Sequence, residues 1–146
     1  MSLLDLGPKG EALIKSFEQL KLQAYRVGND VPTIGWGHTL NVKLRDTCTL
    51  EQAQRWFDED TAIARLAVHN AVLVPLTQNQ FDALVSFTFN LGGGALRTST
   101  LLRLLNLGNY GGAADEFQKW IYSHGVKLDG LVTRRAAEAA LFRAAV

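Results

Sequence analysis

The sequence predicts an α+β fold in which a small N-terminal lobe holding a β-hairpin is set against a larger helical C-terminal lobe, with a cleft between them. Three observations carry the prediction. Apolar residues recur at helical spacing before residue 20 and again after residue 49. Between them the pattern changes to short stretches around the turn-forming Gly28-Asn29-Asp30. No repeat, low-complexity tract or linker interrupts the 146 residues, which read as one domain, 1–146.

In the first segment Leu13, Ile14 and Phe17 follow helical spacing and Pro8 suits a helix start, so Glu18 falls at the end of a short helix. Leu22 to Tyr25 and Val31 to Trp36 read as the two strands of a hairpin, with Pro32 suiting an edge. Everything after Thr49 reads as helix. Thr49-Leu50-Glu51-Gln52 and Thr77-Gln78-Asn79-Gln80 are capping-box patterns, each followed by apolar residues three to four apart. Gly92-Gly93-Gly94 stops the second of these helices, and Ser99 or Thr100 starts a third that runs through Leu105 to a C-cap at Gly108. Amphipathic segments around Ala113 to Ile121 and Thr133 to Arg143 follow. Trp56, Phe57, Trp120 and Phe142 read as core.

With 47% hydrophobic residues the chain can bury a sizeable core, and its single cysteine, Cys48, excludes an internal disulfide and reads as an incidental thiol. A formal net charge of +1 gives no global basic field, which argues against nucleic acid as a partner. From residue 97 onward Lys and Arg number 7 against 4 Asp and Glu, a mild basic bias. It would suit a ligand bearing carboxylates, although solvated helix faces produce the same imbalance. No apolar run reaches signal-peptide or membrane-span length, so the expectation is synthesis in the cytoplasm without stable membrane insertion. His38, His69 and His124 are too far apart for a metal site by spacing; neither metal nor cofactor is expected. No Gly-x-Ser-x-Gly signature supports acyl transfer.

The stretch from Ser16 to Leu40 gathers Glu18, Tyr25, Asp30, Thr33, Trp36 and His38 around one hairpin, among glycines that let backbone approach a ligand closely. A carboxyl group at a helix end facing such a sheet suits acetal cleavage, whose poor leaving group needs a proton as the bond breaks. A solvated helix-terminal glutamate would look the same.

Phe17-Glu18, Leu22-Gln23-Ala24-Tyr25 and Pro32-Thr33-Ile34-Gly35-Trp36-Gly37-His38-Thr39 together resemble the active-site signature of the phage-type lysozymes, glycoside hydrolase family 24. The similarity continues through Val74 to Leu84, Phe89-Asn90-Leu91-Gly92, Ser99 to Leu102, Trp120, Gly130-Leu131-Val132 and Arg134-Arg135. The resemblance implies a lysozyme-like fold and cleavage of the β-1,4 bond between N-acetylmuramic acid and N-acetylglucosamine in bacterial peptidoglycan. It implies Glu18 as general acid, Thr33 as the residue positioning water, and Gly37, Thr39 and Phe89 as sugar contacts. It also implies Arg134 or Arg135 near Glu18, and His38 opposite Asp60 as a structural pair. A monomer is expected, with a holin-type protein opening the route to the wall.

Position 27 departs from the pattern. The family carries Asp or Cys there, where this chain has Val27. Valine can neither accept a proton from water nor stabilise an oxocarbenium ion, and Asp30, the nearest carboxylate, reads as a turn residue. Hydrolysis, lytic transglycosylation and binding without catalysis all stay open, with hydrolysis first because Glu18 and Thr33 are both in register.

Overall fold

The computed structural model describes residues 4–144, so Met1, Ser2 and Leu3 of the N-terminal stretch, and residues 145–146, lie outside the described residues. Helix α1 (Pro8–Glu18) begins on Pro8 and has no side-chain cap at Gly7. Its cap comes from far along the chain. Asp82, on helix α3 (Gln78–Leu91), accepts the backbone N–H groups of Gly7 at 3.0 Å and Gly10 at 3.2 Å. A carboxylate there satisfies orphan donors and meets the positive end of the helix dipole. Gly10 permits the approach, because a Cβ at that position would stand 2.7 Å from the Asp82 Cβ. At the other end Gln19 turns to φ 51° and ends the helix at Glu18.

Strand β1 (Lys21–Tyr25) pairs antiparallel with β2 (Thr33–Gly35), Lys21 opposite Gly35 and Tyr25 opposite Thr33. The hairpin is where the sequence puts it, but β2 is shorter than Val31 to Trp36. Pro32 has no N–H to give a ladder. Gly35 at φ 66° and Gly37 at φ 79° fold the chain back, so that Ile34 and His38 exchange two backbone bonds of 2.9 Å. The Asp30 N–H closes the tip on the Val27 carbonyl at 3.0 Å.

Helix α2 (Leu50–Ala71) is capped by Thr49, whose hydroxyl accepts the Gln52 N–H at 3.1 Å. The expected capping box is only half formed. The Gln52 side chain accepts from Arg55 at 2.7 Å and does not reach back to Thr49. At α3 both halves are present between Thr77 and Gln80. Helix α3 is the centre of the fold, buried at every position from Phe81 to Thr88, with α1, α2, α4 (Gly93–Thr98) and α7 (Asp129–Arg143) packed around it. A helix covered on all sides needs no polar face.

Gly92 ends α3 as expected, yet Gly93 and Gly94 open α4, a helix their composition conceals. Ser99 then caps α5 (Thr100–Asn106), and Asn109 caps α6 (Tyr110–Glu116), which runs into a 3-10 turn at Phe117–Lys119. The chain after Thr49 is not all helix: β3 (Tyr122–Ser123) and β4 (Val126–Lys127) form a second hairpin. Its two turn residues, His124 at φ 51° and Gly125 at φ 79°, are both left-handed, the geometry that matches strand twist. Helix α7 starts at Asp129, earlier than the expected Thr133.

Phe57 and Phe142 belong to the core as expected. Trp56 does not. It is half-buried and stacks face to face on the His38 ring, centroids 4.5 Å apart. Trp120 is half-buried as well, its ring packing edge-on to Phe87.

Candidate active site

A cleft of about 750 Å³ lies between the first hairpin and the helices. Glu18 enters it from the end of α1, Gly37, Thr39 and Leu40 from the turn after β2, and Asp60, Ile63 and Ala64 from α2. Thr88, Phe89 and Asn90 close it from the end of α3, and Arg97 from α4. Four of the five expected site residues, Glu18, Gly37, Thr39 and Phe89, therefore line one cavity. Thr33 is not part of that lining. Its hydroxyl donates to the Val31 carbonyl at 3.1 Å, which leaves the oxygen free to accept a further hydrogen.

The Glu18 carboxylate is fixed from two sides. Its Oε2 accepts from Arg134 Nη1 at 2.5 Å, while Oε1 lies so close to Gly37 that a Cβ there would stand 2.5 Å from it. Only glycine fits between that oxygen and the left-handed backbone of residue 37. Phe17 supports the arrangement, with Arg134 Cζ 5.5 Å above its ring.

Behind Arg134 stands a buried network. Its Nε reaches Glu138 Oε2 at 3.3 Å, and its Nη2 donates to the Ser86 carbonyl at 3.2 Å. Ser86 donates its hydroxyl to the same Glu138 oxygen at 2.5 Å. Arg135 takes the other Glu138 oxygen, together with the Asn90 side chain and, at 3.0 Å, the Trp120 carbonyl. Arg135 and Glu138 are fully buried, and burial pulls the Arg135 guanidinium below its ordinary value while Glu138 pulls the other way. Of the two arginines expected near Glu18 it is Arg134 that reaches it, and Glu138, Ser86 and Asn90 complete a network that was not expected. A glutamate three and four residues after two adjacent arginines on one helix was the available signal.

His38 meets Asp60 as expected, Nδ1 to Oδ2 at 2.8 Å, tying the hairpin to α2. Asp60 also lines the cleft. Val27 is 67% exposed, and Asp30 is exposed beside it; neither belongs to the cleft lining. Cys48 is half-buried, and burial pushes its thiol up, which makes it a poorer nucleophile at neutral pH. Among the described residues no group of three or more His, Cys, Asp or Glu could hold a metal ion. Among them also no helix is long and apolar enough to cross a membrane.

The phage lysozyme family profile matches residues 15–138, from within α1 to the Glu138 network. The chain belongs to the phage lysozyme family. It is 44% identical over 146 residues to the endolysin of Acyrthosiphon pisum secondary endosymbiont phage 1, covering 97% of this chain and 100% of that one. It is 33% identical over 138 residues to the SAR-endolysin of Enterobacteria phage P21, 94% of this chain and 82% of that one. Among solved structures, the muramidase domain of SpmX from Asticaccaulis excentricus superposes with a TM-score of 0.89 at 39% identity, covering 97% and 99% of the two chains. The endolysin of Escherichia coli O157:H7 phage FAHEc1 gives the same score and identity over 97% and 95%. The cleft lined by the Glu18 and Asp60 carboxylates is the candidate site for the glycan cleavage of that family.

Proposed function

We infer that this chain is an endolysin: a glycosidase of the muramidase type that hydrolyses the β-1,4 bond between N-acetylmuramic acid and N-acetylglucosamine in peptidoglycan. The observation that carries the reading is Glu18, whose carboxyl group is held by Arg134 on one oxygen and presented with the other beside Gly37 in the cleft. Glu18 is the general acid. Its proton passes to the glycosidic oxygen as the anomeric C–O bond breaks; water adds its oxygen to the anomeric carbon and releases a proton to the solvent, from which the Glu18 carboxylate is reloaded. Gly37, Thr39 and Phe89 seat the sugars, the Phe89 ring being held in turn by a tilted contact with Phe57 of the core. Thr33 positions the water, as an acceptor, from the neighbouring strand. Clearing of permeabilised Gram-negative cells by purified protein tests the activity, and mass analysis of the fragments tests the reaction. Reducing ends support hydrolysis; anhydro-muramic ends, lighter by one water, would assign a transglycosylase.

The exposed tip at Val27 carries no base, so water attack proceeds without a second carboxylate from that position. Val27→Asp is expected to raise the hydrolytic rate severalfold in a folded protein, and Asp30→Asn to change it little. Equal turnover of Val27→Asp and wild type would show that the tip plays no part in activating water.

The chain acts on the wall as a monomer, after synthesis in the host cytoplasm and release by a separate holin-type protein. Its expression alone in a bacterial host should leave cells intact until the membrane is permeabilised. Lysis on expression alone would contradict that route.

A further inference from the structure

We propose that Glu138 is a positioning residue that never touches substrate but sets the upper pH limit at which Glu18 can donate its proton. The inference rests on the assignment of Glu18 as general acid. Glu138 is fully buried on α7 and spends both oxygens on three donors: Arg135 on one, Arg134 and Ser86 on the other. Arg134 is consequently shared between two carboxylates, Glu138 at its Nε and Glu18 at its Nη1.

Charge counting shows what this sharing does. With Glu18 ionised the cluster holds two guanidinium groups and two carboxylates and is neutral. When Glu18 carries the proton that it must donate, one positive charge is left over. Without Glu138 the surplus would be two, in a site where Arg134 is 4% exposed and Arg135 fully buried, so screening is weak. Glu138 thus lowers the electrostatic cost of loading Glu18 with a proton beside an arginine. Ser86 and the Trp120 carbonyl hold the two guanidinium groups so that this charge relation is fixed.

The other charges around Glu18 are already committed or lie toward solvent. On α1 itself Lys15 is bound to Glu11 at 2.8 Å and Gln54 at 2.6 Å. On α2 Asp60 is bound to His38, and on α3 the one ionisable residue, Asp82, caps α1. Arg97 of α4 lines the cleft from an exposed position. Glu138 is the carboxylate that shares a guanidinium with the acid.

The test is the pH profile of kcat/KM on purified peptidoglycan, whose descending limb marks loss of the acid's proton in the free enzyme. Glu138→Gln keeps the shape and removes the charge, and is expected to move that limb about one unit toward lower pH. Arg135→Met removes a positive charge without touching Glu18 and should move it toward higher pH. The double variant removes one charge of each sign, and its limb should return near that of wild type. Displacements of opposite sign are not what loosened packing produces. Should Glu138→Gln not fold, the comparison is Arg135→Met against the double variant, which differ only at residue 138; coincident limbs overturn the proposal. A folded Glu138→Gln with an unmoved limb also overturns it, and if Glu18→Gln is inactive the assignment of Glu18 still stands. A fully active Glu18→Gln removes both.

Discussion

Glu18→Gln is expected to lower turnover on peptidoglycan by about 10²- to 10⁴-fold, the range that a positioned general acid contributes. The amide retains an oxygen to accept from Arg134 and occupies nearly the same volume, so the cleft wall keeps its shape. Stability should fall modestly, because an ion pair becomes a neutral hydrogen bond at a site 19% exposed on the glutamate side. Circular dichroism and thermal unfolding check the fold; dye release from labelled cell walls measures the rate. Near-normal release by a folded Glu18→Gln protein would remove Glu18 from the chemistry.

Gly37→Ala is expected to cost about 10²-fold in rate for a different reason, since a displacement of about 1 Å in a reacting group has that order of effect. The new methyl would stand 2.5 Å from Glu18 Oε1 and 3.2 Å from its Cδ, so the carboxyl group has to leave the place where Arg134 holds it. The left-handed backbone at φ 79° adds about 1–2 kcal/mol of strain. Gly28→Ala separates the two effects: residue 28 has φ 58°, and a Cβ there meets nothing within 4 Å. It should share the loss of stability and keep the activity. Equal rates for the two alanine variants would mean that Glu18 moves without consequence.

Much of this site is legible in the chain because its parts are local. Glu18, Gly37 and Thr39 sit within one stretch of helix, hairpin and turn, and α1, the first hairpin and α2 are announced by a proline, a Gly-Asn-Asp turn and a capping threonine. What stays hidden is settled by distant contacts. Nothing near Gly7 marks Asp82 as its cap, and nothing near Ser86 marks Glu138 as its acceptor; these pairs are 75 and 52 residues apart. Helix α4 escapes because its first two residues are glycines, poor helix formers held in place by packing on α2 and α3. The second hairpin escapes because two-residue strands have no periodicity to read, although His124-Gly125 is a turn signal in retrospect. Trp56 escapes because its stacking partner, His38, belongs to another element. Thr33 shows the reverse case, in register along the chain but outside the cleft lining.

The clamp on Glu18 also fixes when, during synthesis, the site can come into being. Arg134 follows Glu18 by 116 residues. At the usual pace of translation, about 5–20 residues per second, the ribosome carries the acid for on the order of ten seconds before its arginine exists. Once Asp82 has been made α1 can find its cap on α3, yet the oxygen that Arg134 will hold still lacks that partner, and the α7 side of the network is still unmade. A chain interrupted before Arg134 therefore displays every residue of the first hairpin and lacks the clamp on Glu18. The clamp on Glu18 therefore forms only after residue 134 has been made, and chains cut before it are expected to show no lytic activity.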